Sequence, residues 1–170
     1  MSCSKDVKNV TLTFKMSELL YDAANYSFIE GDIMKGDDEH IRHQVFDIGQ
    51  NGNVDRVTRV LNLAHAECIE MLFPYTKRET LVSELNDILS APEEYHIVMS
   101  VPYNFSETTV VLLKNLIHEY LVCRVLEDWM SITKPESQSN WNNKLESIRR
   151  KIQISLTSRG TVLRRKQSPF

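Results

Sequence analysis

Hydrophobic residues recur along this chain with two periods. Over most of its length they return every three or four positions, which is the period of an amphipathic helix. In two short stretches they alternate with polar residues, which is the period of a half-buried strand. The clearest helical stripe is Val57, Leu61, Ala64, Cys68 and Leu72, with steps of 4, 3, 4 and 4. Arg56, Arg59, Asn62, Glu67 and Glu70 fall largely off that line. The stripe belongs to a block from His40 to Lys77 that organises the rest: a short helix, an Asn/Gly turn and a long helix folded back on it. Gly49 is the expected end of the first helix, in the left-handed conformation that glycine adopts cheaply. Asn51-Gly52 is the expected turn. Asn53 is the expected N-cap of the second helix, with Asp55 in its first turn at the positive end of the helix dipole. Pro74 ends that helix at about Phe73.

The remaining elements follow in order. Val10, Leu12, Phe14 and Met16 alternate with Thr11, Thr13 and Lys15, which predicts a strand over 10–16 behind a disordered start at 1–8. Ser17 caps a helix to about Met34 with Leu20, Ala24, Phe28 and Ile29 inward, Leu19 and Ala23 beside them, and Gly31 weakening its last turn. KGDDE at 35–39 reads as an exposed acidic loop whose Asp37 or Asp38 caps a helix over 39–48. Leu81, Leu85, Ile88 and Leu89 predict a helix over 78–90, stopped by Ala91-Pro92. Tyr95, Ile97, Met99 and Val101 alternate with His96, Val98 and Ser100 up to Pro102, a second strand. The two strands either pair with each other as a ribbon on the helices or pair with other subunits, since two strands alone are marginal. Ser106 caps the longest helix, 107–131, whose apolar band through Leu112, Leu113, Leu116, Ile117, Tyr120, Leu121, Val125 and Trp129 is broad enough for a central core helix. Residues 134–140 read as a polar linker. Trp141, Leu145, Ile148, Ile152 and Leu156 form a last helix with Lys144, Arg149, Arg150 and Lys151 opposite, broken at Ser158-Arg159-Gly160. The expected fold is thus mainly α: a bundle of about six helices with at most two short strands. Residues 1–157 form one domain, and 158–170 an extended basic C-terminal arm.

Composition adds size and compartment. A chain of 170 residues, 42% hydrophobic and 25% charged, is one ordinary domain able to bury a real core. No apolar run approaches the roughly 18 residues of a membrane span, and MSCSKDVKNV lacks the apolar core of a signal peptide. Cys3, Cys68 and Cys123 are odd in number and scattered, which reads as reduced residues of a cytosolic protein. Charge changes the picture more. Residues 1–133 hold 11 Lys/Arg against 21 Asp/Glu, a net of −10, and residues 134–170 hold 9 against 2, a net of +7. An acidic body with a basic end suits head-to-tail self-association or an anionic partner.

Candidate chemistry is sparse. His65-Ala66-Glu67 matches half of a zinc deaminase signature, but the Pro-Cys-x-x-Cys half is absent. His40 and His43 share a helix face without completing a zinc site, even with the acids at 37–39. DIGQNGNVD resembles a calcium loop but has Gly49 and Thr58 where the third and twelfth positions need oxygen ligands. As a DNA-reading pair, the central helices have too long a second helix and too acidic a body. Nucleophile elbows, phosphate loops and dinucleotide fingerprints do not occur. No catalytic, cofactor or metal residues are therefore assigned. Were the chain an enzyme, its site would be assembled from distant residues, with His40, His43, His65, His96 and His118 the groups to watch. The residues singled out for partner contact are Arg159, Arg164, Arg165, Lys166 and Phe170 in the tail. Three readings of them stand: a solvated disordered tail, an arm that orders on an acidic neighbour with Phe170 as anchor, and a phosphate-binding segment.

Three pieces, NYSFIEGDIM at 25–34, the block HIRHQVFDIGQNGNVDRVTRVLNLAHAECIEMLFPYTK, and the ending RRKQSPF, resemble a group of uncharacterised proteins from phage and prophage regions of Bacteroides-type gut bacteria. The resemblance implies a non-enzymatic component of particle assembly, of neck, connector or tail-completion type, made in the host cytosol and incorporated in a virion. Its implied partners are further copies of itself or other assembly proteins. No membrane partner or cofactor is expected, and a nucleic-acid-associated accessory protein is the alternative.

Overall fold

A computed structural model describes residues 7–33, 39–79 and 90–157. The arm at 158–170 and its break at Ser158-Arg159-Gly160 lie outside these residues. So do residues 1–6, all of the 35–39 loop except Glu39, and most of the helix expected at 78–90.

Alternation produces the two strands where it was read, and they pair with each other. The first strand, β1 (Val7–Lys15), runs antiparallel to a second, β2 (Glu94–Pro102), with Leu12 opposite Ile97 and Val10 opposite Met99. Leu12, Phe14, Tyr95, Ile97, Met99 and Val101 point into the core. The strand begins three residues earlier than the period shows, inside the stretch expected to be disordered. Val7 and Lys8 have cross-strand partners in Pro102 and Val101, and Lys8 Nζ meets Glu107 at 2.9 Å.

Five helices complete the described fold: α1 (Met16–Ile33), α2 (Glu39–Phe46), α3 (Asn51–Met71), α4 (Glu107–Thr133) and α5 (Pro135–Thr157). In α1 the buried line is not the expected one. Leu19, Ala23, Ser27 and Gly31 are buried, while Phe28 and Ile29 are exposed. Small residues let α2 and α4 come close, which a line of bulky side chains would prevent. The buried Ser27 hydroxyl is satisfied by donating to Ala23 O at 2.8 Å. At Gly31 the approach is closest: a Cβ there would run into Cε1 of the Phe46 ring and lie 2.9 Å from its Cζ.

The turn between α2 and α3 also differs from expectation. A short 3₁₀ turn, Asp47–Gly49, reverses the chain, and Gly49 is not in the left-handed region. Gln50, extended at φ −72° and ψ 147°, takes the N-cap position. Asn51-Gly52 is already helical, so Asn53 and Asp55 sit deeper in the helix than expected. Asn53 Nδ2 instead donates back to Asp47 O at 2.7 Å, holding the 3₁₀ turn against the helix. The stripe of α3 is buried as expected, and the helix ends at Met71 just before Pro74.

Ser106 caps α4 by accepting from Thr109 N at 3.4 Å. The second half of α4 is buried nearly all round, through Leu121, Val122, Cys123, Val125, Leu126, Trp129 and Met130. It is the central helix, covered by α1, α2, α3 and α5. The expected linker at 134–140 is helix except for Lys134. Pro135 opens α5, where its missing N–H leaves no acceptor wanting and its fixed φ suits the first turn. A one-residue joint makes α4 and α5 an antiparallel hairpin, with Gln138 bonded to Glu127 and Lys144 to Glu119. Trp141, Leu145, Ile148 and Ile152 fill its seam.

Candidate interaction surface

The five tail residues singled out for contact, Arg159, Arg164, Arg165, Lys166 and Phe170, fall outside the described residues, so their surroundings are not part of this surface. The helix they follow ends at Thr157 beside the start of α4, the end of the molecule where Lys8 meets Glu107.

Within the described residues, part of the basic charge near the C-terminus is used by the fold. Lys134 Nζ bonds Glu30 at 2.8 Å, and Ser137 Oγ donates to the same carboxylate at 3.1 Å. Lys144 Nζ bonds Glu119 at 2.5 Å and lies over the rings of Tyr26 (4.5 Å) and Trp141 (5.3 Å). Burial pulls the Lys144 ammonium down, but its hydrogen bond to Glu119 and the groups around it outweigh this and hold it above its ordinary value. Burial, then Glu119, raises the Tyr26 phenol, and burial pushes the Cys123 thiol up to about 12. The cluster ties α1, α4 and α5 together. Arg150 and Lys151 stay exposed on α5.

The histidines do not converge. His65 Nε2 meets His96 O at 2.7 Å, while Glu67 accepts from Tyr120 at 2.8 Å and faces Arg124 at 3.8 Å. The two ends of His65-Ala66-Glu67 therefore serve different contacts. His40 and His43 are exposed on α2, and His43 lies edge-on to Phe46. His118 Nε2 contacts Asp22 at 2.6 Å beside an open groove of about 520 Å³ that Ser17, Tyr21 and Lys114 also line. Among the described residues no hydroxyl or thiol bonds the other ring nitrogen. No three His, Cys, Asp or Glu side chains among them are grouped to hold a metal ion. No described helix is long and apolar enough to cross a membrane.

The two-stranded ribbon has unequal edges. The outer edge of β2 is covered: Ser100 N donates to Tyr75 O at 2.8 Å, Val98 N donates to Glu79 Oε2 at 3.1 Å, and His65 sits on His96 O. Burial raises the Glu79 carboxyl above its ordinary value, with the Val98 N–H and His65 opposing. Since Val98 and Ser100 direct their N–H groups away from β1, their partners Thr11 and Asn9 direct theirs away from β2. Asn9 and Thr11 are exposed, and no backbone group of the described residues bonds that outer edge of β1. One sequence signal bears on this: the non-core positions Asn9, Thr11 and Thr13 are polar but good strand formers or small, without a charge between Lys8 and Lys15. No protein-family model, curated protein or solved structure matches the chain.

Proposed function

We propose that this chain is a non-enzymatic structural or assembly protein that oligomerises, a phage or prophage virion component of neck, connector or tail-completion type. Its helical body is the subunit core, and the basic arm at 158–170 contacts a neighbour's acidic surface, with assembly in the host cytosol. The observation that carries this reading is the charge division, net −10 over residues 1–133 and +7 over 134–170. Lys134 and Lys144 are held by carboxylates of the same chain. Arg150 and Lys151 of α5 stay exposed, and the sequence adds Arg159, Arg164, Arg165 and Lys166 beyond them. Removing 158–170 and measuring mass in solution tests it: the oligomer weakens on truncation, and a full-length monomer at high concentration refutes the proposal.

The alternative is a nucleic-acid-associated accessory protein, favoured by the exposed Arg150 and Lys151 on the last helix. It predicts binding to DNA or RNA that falls steeply with added salt. Absence of binding at low salt removes it.

A further inference from the structure

We infer that the open edge of β1 pairs with β1 of a second copy, antiparallel and about a two-fold axis through Thr11, to make a continuous four-stranded sheet. This deepens the self-assembly reading above and rests on it.

Three observations select that occupant. First, the strand is self-complementary about its middle. Pairing around Thr11 places Asn9 opposite the partner's Thr13 and Val7 opposite the partner's Lys15. On the core-facing side it places Val10 opposite the partner's Leu12 and Lys8 opposite the partner's Phe14. All nine residues of β1 are used, and no lysine meets a lysine. Centring the axis on Asn9 or Thr13 shortens the overlap. The residues with outward N–H and C=O groups are then the ones that exchange hydrogen bonds, which is the close pairing of an antiparallel ladder. Second, the opposite edge of the ribbon is occupied by Tyr75, Glu79 and His65. Edge pairing therefore stops at two copies and does not continue into a fibre, as a two-fold contact requires. Third, the chain's own tail suits this edge poorly. Lys8 and Lys15 bracket it, and Arg164, Arg165 and Lys166 would bring like charge to both ends. Exposed Val7 lies at the edge and supplies apolar surface there.

The axis position makes a charge exchange diagnostic. In Thr11→Lys two ammonium groups face each other across the axis, and in Thr11→Glu two carboxylates do. Thr11 is exposed, so both variants keep the far-UV circular dichroism and melting of the parent. Light scattering on the full chain at high salt, where arm contacts are screened, is expected to show a dimer for the parent. At lower salt, where the facing charges are not screened, each variant alone is expected to dimerise up to about fivefold more weakly, and their equimolar mixture to regain the dimer. An independent readout uses a Cys3→Ser background: Thr11→Cys forms a disulfide-linked dimer on oxidation, because directly paired Cα atoms lie about 5.5 Å apart. Thr13→Cys, which faces the partner's Asn9, does not. An oligomer unchanged by both charge variants, or a mixture that stays dissociated, overturns the pairing and leaves the assembly reading standing. So does a parent that is oligomeric at low salt and monomeric at high salt. A parent monomeric at every salt and concentration overturns both.

Discussion

Gly31→Ala tests whether the rotated face of α1 is set by close approach. On helix propensity alone the change stabilises by about 1 kcal/mol, because alanine restricts the unfolded chain and suits a helix interior better. Here the added methyl would press on the half-buried Phe46 ring, which must shift to admit it. It stacks on Phe28 with centroids 5.2 Å apart and lies against His43 at 6.3 Å. Overpacking of this kind costs about 1–3 kcal/mol. The net expectation is a loss of about 1 kcal/mol, a mid-range overpacking cost of about 2 kcal/mol less the propensity gain of about 1 kcal/mol. In a Phe46→Ala background the obstacle is gone, and the same substitution should gain about 1 kcal/mol. The diagnostic is the reversal of sign, a coupling of about 2 kcal/mol in a double-mutant cycle measured by urea unfolding. If Gly31→Ala stabilises the parent as much as it stabilises the Phe46→Ala protein, close packing does not explain the buried line Leu19, Ala23, Ser27 and Gly31.

Ile152→Ala, at a fully buried position of the α4–α5 seam, should cost about 3 kcal/mol; a loss below about 1 kcal/mol in thermal or urea melts would mean that the hairpin is not packed as described. Cys68 and Cys123 are buried, and burial raises both thiols, so neither should react with a disulfide reagent at neutral pH until the protein unfolds. Labelling of either in the folded protein, read by peptide mass spectrometry, would contradict this. The hydrogen bond and charge of Lys8 hold the Glu107 carboxyl below its ordinary 4.5. A carboxyl lowered on folding contributes stability that is present above its unfolded value and lost as pH falls through the folded one. Lys8→Met should therefore return the Glu107 titration, followed by carbon NMR, towards 4.5, and an unmoved titration would show that the pair does not persist in solution.

Helices with wide apolar stripes were legible in residue order. The stripes of α3, α4 and α5 are buried nearly as spaced, because long side chains at helical period leave one face for the core. The face of α1 was not legible, because its buried line is marked by small residues whose value depends on how near a neighbour comes. Lys134 and Lys144 read as part of a free basic end, yet Glu30 and Glu119, 104 and 25 positions away, hold them. Pro135 read as a linker residue because its use at a first helical position depends on the residues after it. Alternation identified both strands but not their partners, since the period fixes which side chains point inward and leaves the hydrogen-bonding neighbour open. For the same reason the open edge of β1 emerges only once β2 and the groups covering its far edge are in place.

The central claim is that this chain assembles with itself, and its absolute mass in solution tests that most directly. Light scattering on a sizing column, over a range of concentrations at low and high salt, is the measurement. The account predicts a discrete oligomer at low salt that falls to a dimer when salt screens the arm. A monomer under every condition would contradict it.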